Sequence, residues 1–457
     1  MSQRARPRVA VIGAGIAGLA AALDLAAAAD VTVFEASDRV GGPIRTVDFA
    51  GERVEAGPDA FLARRPEMID LAARVGFTRD DLISPTAADA GIWTRGEVRQ
   101  MPSGLVMGVP RSAEHLGDTG IISAEGVARA ARERELPVIA VGDDVGMGEL
   151  VRQRFGEEVF ERLVDPLMGG VHAGRSELLS TAVAVPQLLA AARSGRPLMD
   201  ALPEPALSSD PVFYSVRAGL GEIVGGVAKQ LPDIRLGARI DELGMVGDRW
   251  EVAGEDFDGV VVATHAPVTA SLVVPFAPDA ARVLSTVEYA SVVLTLLAYP
   301  TAAFTSPPHT SGYLVPRVEH KLTSAVSWWN AKWSQRAPRD TQVVRASTGR
   351  IDDVRHHDLS DDDLVAALHR ELVEATDLHA DAPSDARVSR YEHALPQFRV
   401  GHLTDVAAPA HAAAAAVRAP LALAGSCYEG LGLPACVASG QAAAQRVLVR
   451  LRKGLSV

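Results

Sequence analysis

An α/β fold, with a discontinuous Rossmann-like domain at its centre, is predicted by three observations. Val9–Ile12 is an apolar run short enough for a buried parallel strand, and it leads into Gly13-Ala14-Gly15-Ile16-Ala17-Gly18 and an alanine-rich helix pattern to about Ala28. The far end repeats that layout: LALAGSCYEGLGLPACVASGQAAAQRVL reads as an apolar strand, a loop with Gly425, Gly430 and Gly432, and another alanine-rich helix. Between them, from about Ser84 to Pro211, the βαβ rhythm gives way to mainly helical spacing. The chain is therefore expected to begin and end in one domain, with a mixed sheet and a helical region inserted into it.

The opening stretch carries the chemistry. After the first helix, a second strand over Val31–Phe34 ends at Glu35, which completes the strand–turn–helix–strand–acid layout of a dinucleotide site. Gly13 permits the tight turn, Gly15 lets backbone approach a pyrophosphate, and Gly18 lets helix and strand pack closely. The helix N-terminus offers N–H groups to phosphates, and Glu35, at the usual spacing of about 20 residues, can accept from ribose hydroxyls. The residues after Glu35 choose the cofactor. Arg39-Val40-Gly41-Gly42, with Arg45-Thr46 beyond, sets a second glycine pair and two cations beside the phosphate site. A nicotinamide dehydrogenase does not need these, whereas FAD, bound extended across the sheet, does.

Beyond this stretch Val47–Glu55 alternates like a hairpin, and Gly57-Pro58 in EAGPDAFLARRP forces a tight turn. Arg64 and Arg65 form a cationic pair ahead of a helix expected from Pro66 to Val75. Trp93–Met101 reads as a small hairpin. In the helical region, Leu150, Phe155, Val159, Phe160, Leu163 and Leu167 recur at helical spacing as core positions. Pro166 is expected to interrupt that pattern and Gly169-Gly170 to end it. Met199–Pro211 reads as a Pro- and Ser-rich linker. RAGLGEIVGGVAKQL is a glycine-opened helix, IRLGARIDEL and WEVAG are short strands, and DGVVVATHAP is an apolar strand re-entering the first domain. Tyr289–Tyr299 and Lys321–Trp329 are longer strands of a second sheet. Asp352–Leu372 is an acidic loop and helix; it lacks the glycine and terminal Glu of a calcium loop, and His356-His357 has no ligand spacing, so no metal site is expected.

Composition bounds the function. With 457 residues, 48% hydrophobic and 22% charged, the chain is globular and of roughly two or three domains. A net charge of -12 argues against nucleic acid as a partner, and an anionic substrate would need a local arginine pocket. Lysine occurs only at positions 229, 321, 332 and 453. Cys427 and Cys436 form no disulfide framework or zinc spacing, which fits a cytoplasmic protein. The basic start, MSQRARPR, leads straight into a strand without signal-peptide design. Val11–Ala29 is long and apolar enough to imitate a membrane span, but Asp24 and the glycine turn argue against one.

Four stretches, EASDRVGGPIRT, EAGPDAFLARRP, LVDPLMGGVHAGRSELLS, and HALPQFRVGH with AGSCYEGLGLPACVASGQAAA, together resemble the bacterial coproporphyrinogen III / protoporphyrinogen oxidase family within the flavin amine oxidase superfamily. The resemblance spans nearly the whole chain. It implies a p-hydroxybenzoate-hydroxylase-like FAD domain over 1–83, 212–275 and 387–457. A mixed-sheet substrate domain would occupy 84–107 and 276–386, and a helical domain, of the type that rests peripherally on membranes, 108–211. Carried over by motif, Gly13, Ala14, Gly15, Ile16, Ala17, Gly18, Glu35, Ala36, Arg39, Gly42, Gly57, Pro58 and Asp59 would touch FAD. So would Ile240 near the adenine, Tyr391 before ALPQ, and Gly432, Leu433, Pro434 and Val437 beside the flavin ring. Two positions depart from the pattern: Tyr391 stands where relatives usually have tryptophan, and Ala435 replaces the acid of the common IPDC motif.

The resemblance implies FAD-dependent oxidation of coproporphyrinogen III, with O2 giving H2O2, in haem biosynthesis. It also allows transient contact with a ferrochelatase-type enzyme and at most peripheral membrane contact. Flavin carries the hydride chemistry, which accounts for the lack of a catalytic Ser/His/Asp or paired-carboxylate constellation, and no flavin bond is expected. Arg64, Arg65 and Arg175 are the candidates for binding propionates. Protoporphyrinogen IX is the alternative substrate. A flavin amine oxidase is the next reading, although Leu294 stands where that group places a lysine on a strand facing the flavin. A flavin-fold binding protein without turnover is the third.

Overall fold

The computed structural model describes residues 6–87, 89–204, 211–306, 308–336 and 340–454; residues 1–5 of the basic start and 205–210 of the linker lie outside them. A five-stranded, all-parallel sheet holds the two chain ends together. Its order is Asp233–Arg235, Asp30–Phe34, Arg8–Ile12, Gly259–Val262, Leu421–Leu423. The strands come from three separated stretches of chain, and their continuous apolar character follows from burial on both faces. Val9, Val11, Val31 and Val33 pack against the helices Ile16–Leu25, Leu220–Lys229 and Leu433–Gly454. Ala10, Ile12, Phe34 and Val260 pack on the other side against the helices Ala266–Val273, Pro278–Leu284 and Ala408–Ala416.

The alanine content of the first and last helices now has a reason. Nearly every residue of Ile16–Leu25 is buried, so the helix has no solvent face to mark with polar residues. Helix and helix come close enough that a Cβ built on Gly440 would stand 2.0 Å from the carbonyl oxygen of Ala17. Gly13 sits at φ +101, a conformation that favours glycine, and gives its N–H to the Phe34 carbonyl at 2.7 Å.

The second sheet has seven strands in the order Asp385–Pro396, Tyr289–Pro300, Thr341–Thr348, Thr323–Trp328, Gly312–Leu314, Ala90–Thr94, Glu97–Gln100. It is antiparallel except where Gly312–Leu314 meets Ala90–Thr94. One face buries Val293, Leu297 and Tyr299 against the helix Asp361–Ala375. The opposite face packs Leu296, Ala298 and Val343 on the hairpin Thr46–Phe49/Glu52–Glu55 of the first sheet's side. The expected hairpin near Trp93 is the outer edge of this sheet.

Two expectations are corrected. Helical structure does not stop at Pro166 or at Gly169-Gly170. A π-helical turn over Phe160–Val164 resets the hydrogen bonding, and a new helix runs Asp165–His172. Pro166 thus falls in a first turn, where its missing N–H costs little, and the helix ends at left-handed Ala173 (φ 46). Nor does IRLGARIDEL form one strand: pairing ends at Arg235. Gly237 turns at φ +63, and the N–H groups of Gly237 and Ala238 donate to the carbonyls of Ser37 and Glu35 at 2.8 Å, folding the chain over the end of its neighbour.

The close approach of the two helices sets a stability test. Gly440→Ala should cost about 1–3 kcal/mol or more through overpacking. Gly225→Ala, in a helix where an added Cβ meets nothing within 4 Å, should be neutral or gain up to about 1 kcal/mol. Thermal melts of both variants beside the wild type check the pair.

Candidate functional site

The two glycine loops lie against each other. Gly41 donates to the Ala14 carbonyl at 2.8 Å, Gly15 and Gly41 form a parallel bridge, and a Cβ on Gly42 would stand 3.6 Å from the Gly15 Cα. Arg39 closes the second loop, donating to the carbonyls of Val40, Ile44 and Gly42. Glu35 ties the turn to the strand end: one carboxylate oxygen accepts from the Ala14 N–H at 2.7 Å and the other from the Ser37 N–H at 2.9 Å. The cradle fits a dinucleotide. Gly15 caps the first helix with no side-chain bond of its own, and a Cβ built there meets nothing within 4 Å, so backbone faces open space where a pyrophosphate needs it.

Gly432 precedes the last helix, Leu433 and Pro434 open it, and Val437 lies in its second turn, buried with Cys436. Ile240 packs on the Trp250–Phe257 side. The Gly57 turn is held from three directions. A Cβ on Gly57 would fall 1.9 Å from the Pro43 oxygen. Tyr391 Oη donates to the Ala56 carbonyl at 2.6 Å, and Arg345 Nη2 donates to the Gly57 carbonyl at 2.5 Å.

Asp59 is the hub between the sheets. Its Oδ2 takes Lys332 Nζ at 2.8 Å, Arg345 Nη1 at 2.6 Å and Trp333 Nε1 at 3.2 Å. Burial alone would raise this carboxyl, but the two cations hold it well below the usual carboxylate range. Lys332 and Arg345 lie 5.5 Å and 5.8 Å from the ring centres of Trp333 and Trp329. Sequence reading missed both cations. The available signal was that Lys332, one of four lysines, stands in WWNAKW.

Beside this hub lies a cavity of about 190 Å³ whose floor is the seven-stranded sheet. Register explains the floor. Leu296 pairs with Arg345, Arg345 with Ser327, Ser327 with Gly312, and Gly312 with Ala90. In the next row Leu294, Ser347, Ala325 and Leu314 follow one another. Period 2 turns both rows to the same face, and their mostly small side chains leave a flat space beside one long cation. Helix Asp165–His172 packs against one lining residue: a Cβ on Gly170 would stand 3.2 Å from Leu314. Its motif meets the ALPQ motif directly, since Gln397 Nε2 donates to the His172 carbonyl at 3.0 Å.

The three arginines expected to bind propionates stand elsewhere. Arg65 is bonded to Glu67 at 3.1 Å and Arg175 to Glu177 at 2.8 Å; both are exposed, as is Arg64, and none lines the cavity. Burial pushes the Cys427 and Cys436 thiols up to about 12, leaving neither as an accessible thiolate. Among the described residues no group of three His, Cys, Asp or Glu could hold a metal ion, and no helix is long and apolar enough to cross a membrane.

A paired glycine cradle, a second helix start and a cavity on an adjoining mixed sheet define a flavin-dependent oxidoreductase. The chain belongs to the flavin containing amine oxidoreductase family, whose model matches residues 16–448. It is 34% identical to the coproporphyrinogen III oxidase of Mycobacterium tuberculosis, over 96% of this chain and 97% of that one. A crystal structure from Exiguobacterium, provisionally called a protoporphyrinogen oxidase, superposes with a TM-score of 0.88 at 26% identity, covering 98% and 100% of the two chains. Cyclohexylamine oxidase from Brevibacterium oxydans shares the fold at TM-score 0.71 and 16% identity, covering 98% and 100%.

Buried His172 supplies a pH test of the helix that packs on Leu314. Burial lowers its pKa from 6.5 to about 4, so the unfolded chain binds a proton that the folded chain refuses. The resulting stability is present above about pH 6.5 and lost as pH falls through about 4, on the order of 3 kcal/mol in all. His265, His356 and His402 are shifted the same way by burial, so the measurement is a difference. Denaturant midpoints from pH 7.5 to 4.5 should fall less steeply for His172→Gln than for wild type.

Proposed function

We propose that the protein oxidises coproporphyrinogen III to coproporphyrin III, using non-covalent FAD and O2, as a step of haem biosynthesis. The observation that carries the reading is the cavity: a flat, small-residue floor with two cations and, among the described residues, no acid in its lining. The name and 34% identity of the M. tuberculosis relative support the same activity. In this reading the FAD domain comprises 1–83, 212–275 and 387–457, the substrate domain 84–107 and 276–386, and the helical domain 108–211.

When bound, flavin supplies the hydride acceptance that the side chains cannot. The reaction removes six electrons and six protons from the macrocycle, and three O2 leave as three H2O2. Backbone at Gly13–Gly18 and Gly41-Gly42 would hold the pyrophosphate, and the remaining acceptor sites of Glu35 would take ribose hydroxyls. Gly57–Asp59 and Gly432–Pro434 would lie beside the ring. The chain's residues then orient a flat acid and exclude water from one edge of it. Leu294, on the cavity floor, presents an apolar group where an amine oxidase of this superfamily would place a lysine, which disfavours amine oxidation. Oxidation takes place in the cytoplasm with at most peripheral membrane contact, and the product passes to a ferrochelatase-type enzyme.

The purified protein should be yellow, and denaturation should release its flavin. Gly15→Val should abolish flavin retention, because the side chain would fill the pyrophosphate approach. Side-by-side turnover should give a higher kcat/KM with coproporphyrinogen III than with protoporphyrinogen IX. The reverse order would reassign the substrate, and a colourless protein that takes up no added FAD would overturn the cofactor.

A further inference from the structure

We infer that Lys332 and Arg345, gathered on Asp59, clamp one carboxylate arm of the substrate and so select a macrocycle that carries such an arm on every pyrrole. The inference rests on the porphyrinogen reading of the cavity and names residues that the sequence motifs leave out.

Charge comes first. Two cations share one carboxylate oxygen, which leaves the cluster one positive charge in excess, and none of the described residues lining the cavity is acidic. Arg345 is only 7% exposed, and an excess buried cation is costly until an anion completes it. Donor geometry points the same way. Arg345 Nε is buried without a hydrogen-bond partner, and so is the hydroxyl of Ser327, its cross-strand neighbour. The Lys332 ammonium has three donors, of which Asp59 takes one. Asp59 positions the pair and cancels only one of its two charges. Lys332, Ser327 and Arg345 all line the cavity, so a carboxylate entering it meets the spare donors of the Lys332 ammonium beside the Arg345 charge.

Size then sets the selectivity. At about 190 Å³ the cavity is smaller than the roughly 300–1,000 Å³ of a whole ligand site, and takes one pyrrole edge with its arm. Coproporphyrinogen III carries a carboxylate arm on each of its four pyrroles, so every in-plane orientation presents one to the clamp. Protoporphyrinogen IX carries arms on two and vinyl groups on two, so half of its orientations leave the cation unpaired. A site that bonds a polar group rejects the analogue lacking it more strongly than an apolar pocket does.

The holoenzyme tests this with Lys332→Met, Lys332→Arg and Ser327→Asp, each assayed with both porphyrinogens after its flavin content is measured. Lys332→Met should raise KM for coproporphyrinogen III about tenfold or more, the loss of one charge-assisted contact, with kcat changed only a few-fold. The KM for protoporphyrinogen IX should move less, so the preference narrows, and Lys332→Arg should restore it. Ser327→Asp, which fills the clamp with the protein's own carboxylate, should narrow it too. Fluorescence titration with coproporphyrin III, which needs no turnover, should show matching losses of affinity. Unchanged KM in Lys332→Met, or equal increases for both substrates, would overturn the clamp. Loss of flavin in Lys332→Met with normal kinetics in Ser327→Asp would move the pair to cofactor retention and overturn it as well. A flavin-loaded wild type that oxidises neither porphyrinogen removes the functional reading itself, whereas an active wild type with unmoved variants removes the clamp alone.

Discussion

The approach of the last helix onto the first is the constraint on which the rest depends. Gly440 lies over the Ala17 carbonyl, and a Cβ on Gly18 would fall 1.9 Å from the Gly13 oxygen. These contacts leave no room for side chains, so the glycine turn, both helix starts and the ends of the parallel strands form one rigid block. Rigidity matters because a phosphate cradle works through backbone N–H direction, which small rotations spoil. The sheet beneath is sealed by apolar helices on both faces, so the block does not depend on the cofactor for its core.

The second sheet is fixed to that block by polar rather than apolar means at the point where function needs it. Asp59 and the Gly57 carbonyl come from the first side, Lys332 and Arg345 from the second, and Tyr391 adds its bond to Ala56. Buried ion clusters are poor sources of net stability, because desolvation offsets most of the Coulomb gain. Removing one partner is nevertheless expensive, on the order of 3–5 kcal/mol, since the other charge is stranded. An apolar joint would serve stability at least as well. What the charges add is a fixed orientation of two cations at the edge of an otherwise neutral cavity.

Local signals made much of this legible. The strand–glycine–helix units, the hairpin after Thr46 and the helix from Pro66 follow from periodicity and punctuation within a few residues. Pro166 misled because a π-helical turn, which has no sequence period, shifted the frame ahead of it. The strand after Ile234 was shortened by hydrogen bonds to Ser37 and Glu35, far away in sequence. The clamp residues were hidden for the same reason: Lys332 and Asp59 are separated by 273 positions, and Arg345 is an ordinary strand residue until its neighbours across the sheet are known. Arg64, Arg65 and Arg175 drew attention as charges within recognisable motifs, yet in the structure Arg65 and Arg175 pair with acids two positions on.

A chain of net charge -12 and a multiply acidic substrate make an improbable pair only if charge is counted over the whole molecule. Exposed charges separated by more than about 8–10 Å are largely screened at physiological ionic strength, and surface acids such as Asp30, Asp143 and Asp241 are in addition paired with arginine. Charges in the cavity wall escape that screening, because the medium between them and a docked carboxylate is protein and not salt solution. The single surplus cation therefore outweighs the more distant surface acids at the one place where the substrate's edge is buried. The remaining arms of a tetra-acid need no pocket of their own, since they stay in water, where their charges cost nothing to keep. Binding one arm and solvating the others reconciles a small, cationic cavity with a large, anionic macrocycle.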